Sequence, residues 1–270
     1  MYFFTLGTLL LIYAILALSL NIITGLAGQV SLGHAAFFGV GAYTLGYLTT
    51  QGINFWPALL AAGLVSGVVG LILGLISLRL RDDYLAIATI GLNFVVVALF
   101  LYLPFFGGAF GISDIHTPFG AIGTGILALI LFLLAVAFHE KLRRSDLGLA
   151  LLALRESEPA AAALGVDIRR FKMTAFVIGT FIAGIAGGLY AGYIGVIHPD
   201  DFGFPLSVTI LAMIAVGGMG TLWGPIFGAL VLGGFAQAFA FIHDYQLFLF
   251  GLLLALIMRY RPQGVLGGLR

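Results

Sequence analysis

The side chains that could do chemistry in the first part of this chain are few, and the best placed of them lie close together. His34 is the only histidine in residues 1–78, and it follows Gln29 and Ser31 within the sequence GLAGQVSLGHAAF. An imidazole, an amide and a hydroxyl can together bind a polar solute through hydrogen bonds. The group therefore predicts a ligand-binding site that begins at Gly28.

Several other kinds of chemistry lack the residues that they need. The chain has no cysteine, which excludes disulfides, thiolate metal sites and cysteine nucleophiles. Its five histidines are never three or four residues apart, so a histidine metal site on one helix face is not expected. Neither Lys141 nor Lys172 follows the glycines of a phosphate-binding loop, so this chain is not expected to hydrolyse ATP by that route. We predict no catalytic residues, no metal and no cofactor.

The elements that must position the polar group are membrane-spanning helices. Hydrophobic residues make up 61% of the chain and charged residues only 9%, too few to cover a water-soluble domain. Residues 1–78 contain no Asp, Glu, Lys or Arg, and their apolar residues form continuous runs without strand alternation. The sequence predicts one all-α, polytopic transmembrane domain over residues 1–270. The net charge of +1 gives no sign of a nucleic-acid partner.

Breaks at charges, prolines and glycine clusters predict eight or nine spans. We place them near 2–24, 35–50, 57–78, 84–105, 119–138, 173–194, 205–222, 224–242 and 246–260.

Two glycine clusters interrupt the apolar runs. Residues 25–43 read GLAGQVSLGHAAFFGVGAY, and residues 217–230 read GGMGTLWGPIFGAL. Transporters often contain internal repeats whose broken helices line the substrate path. We therefore predict a weak internal repeat with broken helices, and a pathway that includes Gly217, Gly218 and Gly220. For any single glycine, close packing between helices is the simpler interpretation.

Two polar pathway candidates also have structural interpretations. A neutral imidazole at His34 would satisfy backbone groups that are freed where a helix breaks, and the cost of a charge at membrane depth favours this role. Asn93, in the fourth predicted span, is of a type that forms hydrogen bonds between helices.

The basic residues predict the orientation. All of them lie in three patches, Arg79 with Arg81, Lys141 to Lys172, and Arg259 to Arg270, whereas the segments around Asp114 and Asp201 have none. By the positive-inside rule the patches face the cytoplasm. The sequence therefore predicts an outer N-terminus, a cytoplasmic C-terminus and a cytoplasmic loop at 139–172.

That loop contains a short alanine-rich helix in ALRESEPAAAALGV, residues 153–166. Ser157 is suited to the N-cap, Pro159 to the first turn, and Gly165 to the end of the helix. Small side chains would let the helix enter a groove of a partner, with Arg155, Glu156 and Glu158 fixing its register. The alternative is a solvated helix without a partner.

Four stretches resemble the permease subunits of ABC importers for branched-chain amino acids, most closely the LivM-type members. They are LSLNIITGLAGQVSLGHAAFFGVGAY, RLRDDYLAIATIGL, SDLGLALLALRESEPAAAALGV and FGFPLSVTILAMIAVGGMGTLWGPIFGA. The resemblance implies a bacterial inner-membrane permease that pairs with a related permease subunit, two cytoplasmic ATP-binding subunits and a periplasmic solute-binding protein. It also implies that residues 145–165 form the coupling segment, with Glu158, Ala161 and Gly165 on its motif.

The residues themselves leave two kinds of function open. No Asp or Glu lies inside a predicted span, where a carrier driven by protons or sodium usually keeps one. What remains is a passive channel, or a permease subunit driven by another protein that docks on the cytoplasmic loop. For the second, the resemblance implies an ATP-driven permease for branched-chain amino acids or, as an alternative, a related permease for urea or short amides.

Overall fold

A computed structural model describes residues 2–77, 82–115 and 117–235, together with 248, 251–252, 255–256, 259–260 and 263–267. The predicted span at 246–260 and the end of the span at 224–242 lie wholly or mostly outside these residues. The same holds for Asp244 and for four of the basic residues used to predict orientation, Arg79, Arg81, Arg261 and Arg270.

Helices are the only regular elements among the described residues, apart from an isolated β-bridge between Ile112 and Ile197, and this confirms the all-α prediction. Short 3-10 turns occur at Pro104–Phe106, Gly108–Phe110 and Pro199–Phe202. The α-helices are α1 (Tyr2–Leu20), α2 (His34–Thr50), α3 (Phe55–Ser77), α4 (Asp82–Tyr102), α5 (Gly120–Arg144), α6 (Asp146–Glu156), α7 (Glu158–Ala163), α8 (Ile168–Ile194), α9 (Phe204–Gly217) and α10 (Trp223–Gly228).

Among the described residues, fewer helices than predicted are long enough to cross a membrane. Within the described part of the chain, six apolar helical segments reach that length, where the sequence predicted eight or nine spans. The helix α2 has 17 residues, short of the roughly 20 residues of a straight span, and only the first part of the helix that begins at Trp223 lies within the described residues. The polytopic helical fold is confirmed, and the difference in count arises from these shorter helices and from the residues outside the description.

Both glycine clusters break helices, as the sequence predicted. The first break comprises a π-helical turn that continues α1, Asn21–Leu26, and the irregular segment at 27–33 that follows it. The second break, at 218–222, separates α9 from α10, and a second π-helical turn, Ala229–Gly233, comes after it. π-Helical turns often occur at functional sites.

Other glycines serve close packing between helices. A side chain at Gly41 of α2 would overlap the backbone of Gly184 in α8, and one at Gly187 would overlap the carbonyl of Phe38. Small residues let helix backbones approach closely where apolar burial supplies little driving force, as in a membrane. For these glycines the packing interpretation holds, and α2 and α8 form much of the core with α3.

The polar segment at 139–172, which the sequence predicted as a loop, is mostly helical. The helix α5 extends beyond the predicted end at 138 to Arg144, and Lys141, Arg143 and Arg144 in its last turn are favourable to the helix dipole. The helix α8 begins at Ile168, five residues before the predicted start.

The predicted alanine-rich helix forms as α7. The Ser157 hydroxyl accepts a hydrogen bond from the Ala160 amide, and Pro159 lies in the first turn. Gly165, with a φ of 86°, follows the end of the helix. The caps therefore act as the sequence predicted.

Candidate functional site

The two helix breaks meet at Asn21, which is fully buried. Its side-chain oxygen accepts from the amide of Gly220 at 2.8 Å, and its Nδ2 donates to the carbonyl of Thr221 at 2.9 Å. The side chain thus binds an amide and a carbonyl of the second break, about 200 residues away in sequence. Asn21 joins the first break to the second, and the sequence did not single it out.

His139 of α5 completes this junction. Its Nε2 lies 2.9 Å from Nδ2 of Asn21, and an amide nitrogen can only donate. The Nε2 atom is therefore the acceptor, and a neutral imidazole with its proton on Nδ1 follows. His139 had been predicted only as the start of a polar loop, whereas the structure buries it completely.

Arg155, in the last turn of α6, also reaches both breaks. Its Nη1 donates to the carbonyl of Gly25 at 2.5 Å and makes a longer contact of 3.5 Å with the carbonyl of Met219. The sequence placed Arg155 on a surface that faces a partner. The structure instead turns its guanidinium toward this chain's own glycine segments.

The remaining residues predicted for coupling divide between two faces. Glu156 is exposed and Gly165 is exposed, whereas Glu158 forms an ion pair with Lys172 of α8. Ala161 has only 1% of its surface exposed and lies in a small apolar cluster with Leu151 and Leu154 of α6. The expectation that Ala161 faces a partner is therefore wrong, because its methyl group fills the contact between α7 and the rest of this chain.

His34 stands at the start of α2 and is fully buried. Its Nε2 lies 2.7 Å from the hydroxyl of Ser19, and that hydroxyl donates its single proton to the carbonyl of Leu16. The imidazole must therefore donate through Nε2, which leaves Nδ1 as an acceptor. The sequence favoured a role in satisfying freed backbone groups, whereas the observed partner of Nε2 is a side chain.

Asn93 lies on the buried face of α4 and makes the hydrogen bond between elements that the sequence favoured. Its Nδ2 donates to the carbonyl of Phe202 at 2.9 Å. Thr89, one turn earlier, accepts from the amide of Leu32 in the first break. Residues four apart share a helix face, so α4 presents Thr89 and Asn93 together. The start of α2 is held in a similar way, because Ser207 of α9 accepts a hydrogen bond from the amide of Ala35.

All four pathway candidates that carry polar side chains keep one buried atom without a hydrogen-bond partner among the described residues. They are Gln29 Oε1, Ser31 Oγ, His34 Nδ1 and Asn93 Oδ1. A buried polar atom without a partner costs free energy, so such atoms are rare in proteins. Apart from the Ser31 hydroxyl, these atoms are acceptors, and a ligand that donates hydrogen bonds would suit them.

The four glycine candidates differ in their geometry. Gly28, Gly218 and Gly220 have φ values of 73°, 124° and 80°, which L-residues rarely adopt. Gly28 and Gly220 both lie against Arg155, whereas Gly218 lies against the turn at 263–267. At Gly217 a side chain would overlap the carbonyl of Gly224, so this glycine serves packing at the second break.

An apolar groove of about 400 Å³ lies apart from these residues, between α1, α5 and α8. Its lining has almost no polar surface, so it lacks groups for the charged ends of an amino acid. Its lining residues are Ile15, Leu131, Leu134, Ala135, Phe138, Val177, Ile178, Phe181, Ile182 and Ile185.

The sequence did not predict a role in this region for five residues, namely Ser19, Asn21, Thr89, His139 and Ser207. Only the pair Thr89 and Asn93 carried a usable signal, because two polar residues four apart in an apolar helix mark one face. The partners of Asn21 and Ser207 lie far away in sequence, and no local pattern points to them.

A bundle of apolar helices in which two broken helices meet is typical of membrane transport proteins. Residues 2–258 match the family described as "Branched-chain amino acid transport system / permease component". The chain belongs to this family.

Individual relatives agree with the family match. The chain is 37% identical to the "High-affinity branched-chain amino acid transport system permease protein LivM" of Escherichia coli strain K12, over 96% of this chain and 69% of the relative. It is 26% identical to the permease protein LivH of the same strain, over 94% of this chain and 91% of the relative. A "Probable branched-chain amino acid transport permease protein LivM" of Methanocaldococcus jannaschii is 28% identical, over 94% and 90%. No solved structure matches the chain.

Proposed function

We propose that this chain is the translocation subunit of an ATP-driven importer that moves branched-chain or similar apolar amino acids by alternating access. The observation that carries the proposal is the family match over nearly the whole chain, together with relatives named for branched-chain amino acid transport. ATP would be bound and hydrolysed by two separate cytoplasmic subunits. A related permease subunit and a periplasmic solute-binding protein would complete the importer.

The substrate path that we propose runs past the first break, with Gly28, Gln29, Ser31 and His34 on one side and Asn93 on the other. An amino acid carries an ammonium group, which donates hydrogen bonds, and the acceptors at Gln29, His34 and Asn93 are suited to it. The role of Asn93 is the best defined of these. Because its Nδ2 must donate to a carbonyl, its Oδ1 is the atom available to a ligand.

The substrate can be identified with membrane vesicles that contain this chain and the subunits encoded beside it. We expect uptake of radiolabelled leucine that excess isoleucine or valine suppresses and that urea leaves unchanged. Uptake of labelled urea without uptake of leucine would instead assign the chain to urea or amide transport.

We propose that the segment from Ser145 to Gly165 docks on an ATP-binding subunit through the outer face of α7. Ala160, Ala162 and Ala163 are exposed on this face. Leu164 is 83% exposed and Leu149 of α6 is 59% exposed. Together with the alanines they form an exposed apolar surface on a segment that is otherwise polar. Burial of this surface against a partner would be favourable, and the small alanines would permit close approach.

The orientation that we propose for the bacterial inner membrane has the N-terminus outside and the C-terminus in the cytoplasm. The contact of Arg155 with Gly25 supports it, since it places the end of the first span on the same side as α6 and α7. The beginning of that span then belongs to the opposite side.

Single cysteines can test this orientation, because the chain has none of its own. Ser113, between α4 and α5, and Arg169, at the start of α8 and outside the proposed docking face, are both exposed. An impermeant thiol reagent applied to intact cells should label Ser113→Cys and should label Arg169→Cys only after the membrane is permeabilised. Labelling of position 169 in intact cells would reverse the orientation.

A further inference from the structure

Arg155, in the polar segment at 139–172, contacts both helix breaks. Other arginines of this segment make local ion pairs. The carbonyl of Gly25 belongs to the π-helical turn of the first break, and the carbonyl of Met219 belongs to the second break. Arg143, Arg144 and Arg170 differ, because each pairs with a carboxylate three or four residues earlier in the chain. The contacts of Arg155 are 130 and 64 residues away.

The chemistry of arginine suits this position. Carbonyl groups near the end of a helix lack intrahelical donors and carry partial negative charge. A guanidinium is always charged and holds five N–H donors in a rigid fork, so one group can bind two carbonyls from different segments. A lysine ammonium on a flexible stem does not hold two acceptors in fixed relation in this way.

The glycines around Arg155 leave room for it. A Cβ atom added at Gly28 would lie 3.2 Å from Cγ of Arg155, and one added at Gly220 would overlap Nη1. Asn21 holds the two breaks together through the amide of Gly220. A displacement of α6 would therefore act on both segments at once.

We propose that Arg155 is a positioning residue that transmits movement of the α6 and α7 segment to the two glycine segments of the pathway. When an ATP-binding subunit displaces α7, α6 moves with it through their shared apolar cluster, and the guanidinium carries that displacement to Gly25 and Met219. This inference rests on the proposed ATP-driven function. It assigns Arg155 to energy coupling within this chain and not to the docking surface.

The test compares Arg155→Ala and Arg155→Lys with the wild-type importer in proteoliposomes that contain all its subunits. Three quantities are measured: copurification of the ATP-binding subunits, ATP hydrolysis with loaded binding protein, and leucine uptake. Arg170→Ala is the matched control, because Arg170 is an exposed arginine of the same segment that pairs locally, with the N-cap residue Asp167. The informative number is leucine taken up per ATP hydrolysed.

We expect Arg155→Ala to copurify with the ATP-binding subunits and to hydrolyse ATP, while uptake per ATP falls about tenfold or more, as the loss of a charge-assisted hydrogen bond implies. Arg155→Lys should give an intermediate ratio, and Arg170→Ala the wild-type ratio. If Arg155→Ala proves too unstable to purify, the ratio in Arg155→Lys decides the matter.

Three results would overturn the inference. An unchanged ratio in the Arg155 variants, or a parallel fall of uptake and hydrolysis, would show a merely structural role. Loss of the ATP-binding subunits would place Arg155 in the docking surface. In each case the proposed function stands as long as the wild-type importer takes up leucine only with ATP, whereas uptake by the wild type without ATP would refute the function itself.

Discussion

Gly28→Leu should abolish leucine uptake while the importer still assembles. Gly28 has a φ of 73°, and a side chain there would press on Arg155. The left-handed backbone would cost a leucine about 1–2 kcal/mol, which a folded protein usually tolerates. Because the same side chain would displace the first break and the guanidinium that contacts it, we expect transport to fail. Uptake and complex yield should be measured on the same preparations.

Two matched substitutions define the controls for Gly28→Leu. Gly91 of α4 is exposed, with no atom within 4 Å of an added Cβ, so Gly91→Leu should leave both uptake and yield unchanged. Gly217→Leu should reduce yield, because its side chain would overlap the carbonyl of Gly224. If Gly28→Leu resembled Gly217→Leu, with yield and uptake lost together, Gly28 would be a packing residue.

The second large effect concerns the two faces of α7. Ala162 is exposed, so Ala162→Trp should insert and fold normally but lose the ATP-binding subunits and, with them, ATP-dependent uptake. A tryptophan would hold the proposed groove of the partner away from the helix backbone. Copurification of the ATP-binding subunits measures the effect directly.

Ala161→Trp provides the contrast. Ala161 is buried against α6, where added volume typically costs 1–3 kcal/mol, and its variant should show reduced stability of the isolated chain. Thermal unfolding in detergent distinguishes the two variants. If Ala162→Trp retained the ATP-binding subunits and full uptake, the outer face of α7 would be only a solvated surface.

Local patterns predicted local structure well. The caps at Ser157 and Gly165 and the interruption of helices at both glycine clusters depend on neighbouring residues and on glycine's backbone freedom, which the sequence displays directly. The predicted helices were too short at the end of α5 and at the start of α8, because the two helices continue into the polar segment. Basic residues in the last turn of α5 are favourable to its helix dipole, and Asp167 caps the start of α8 by accepting a hydrogen bond from the Arg170 amide.

Contacts between segments that are distant in sequence could not be predicted from local patterns. Asn21 pairs with Gly220 and Thr221, and its amide in an apolar run carried no sign of those partners. Arg155 was expected to fix the register of a helix docked on a partner, yet its guanidinium contacts carbonyls at the two helix breaks of this chain. Ala161 was expected to contact a partner because its helix has small side chains on every face, and small side chains suit a contact within the chain equally.

Transport against a gradient is the most direct measure of ATP-driven translocation by this chain. Proteoliposomes would contain the complete importer, with ATP inside, and with loaded binding protein and radiolabelled leucine outside. We predict that leucine accumulates inside to a concentration above the external one, and that accumulation requires both ATP and the binding protein. Leucine that enters without ATP and stops at equal concentrations on the two sides would show a passive channel and contradict the proposed function.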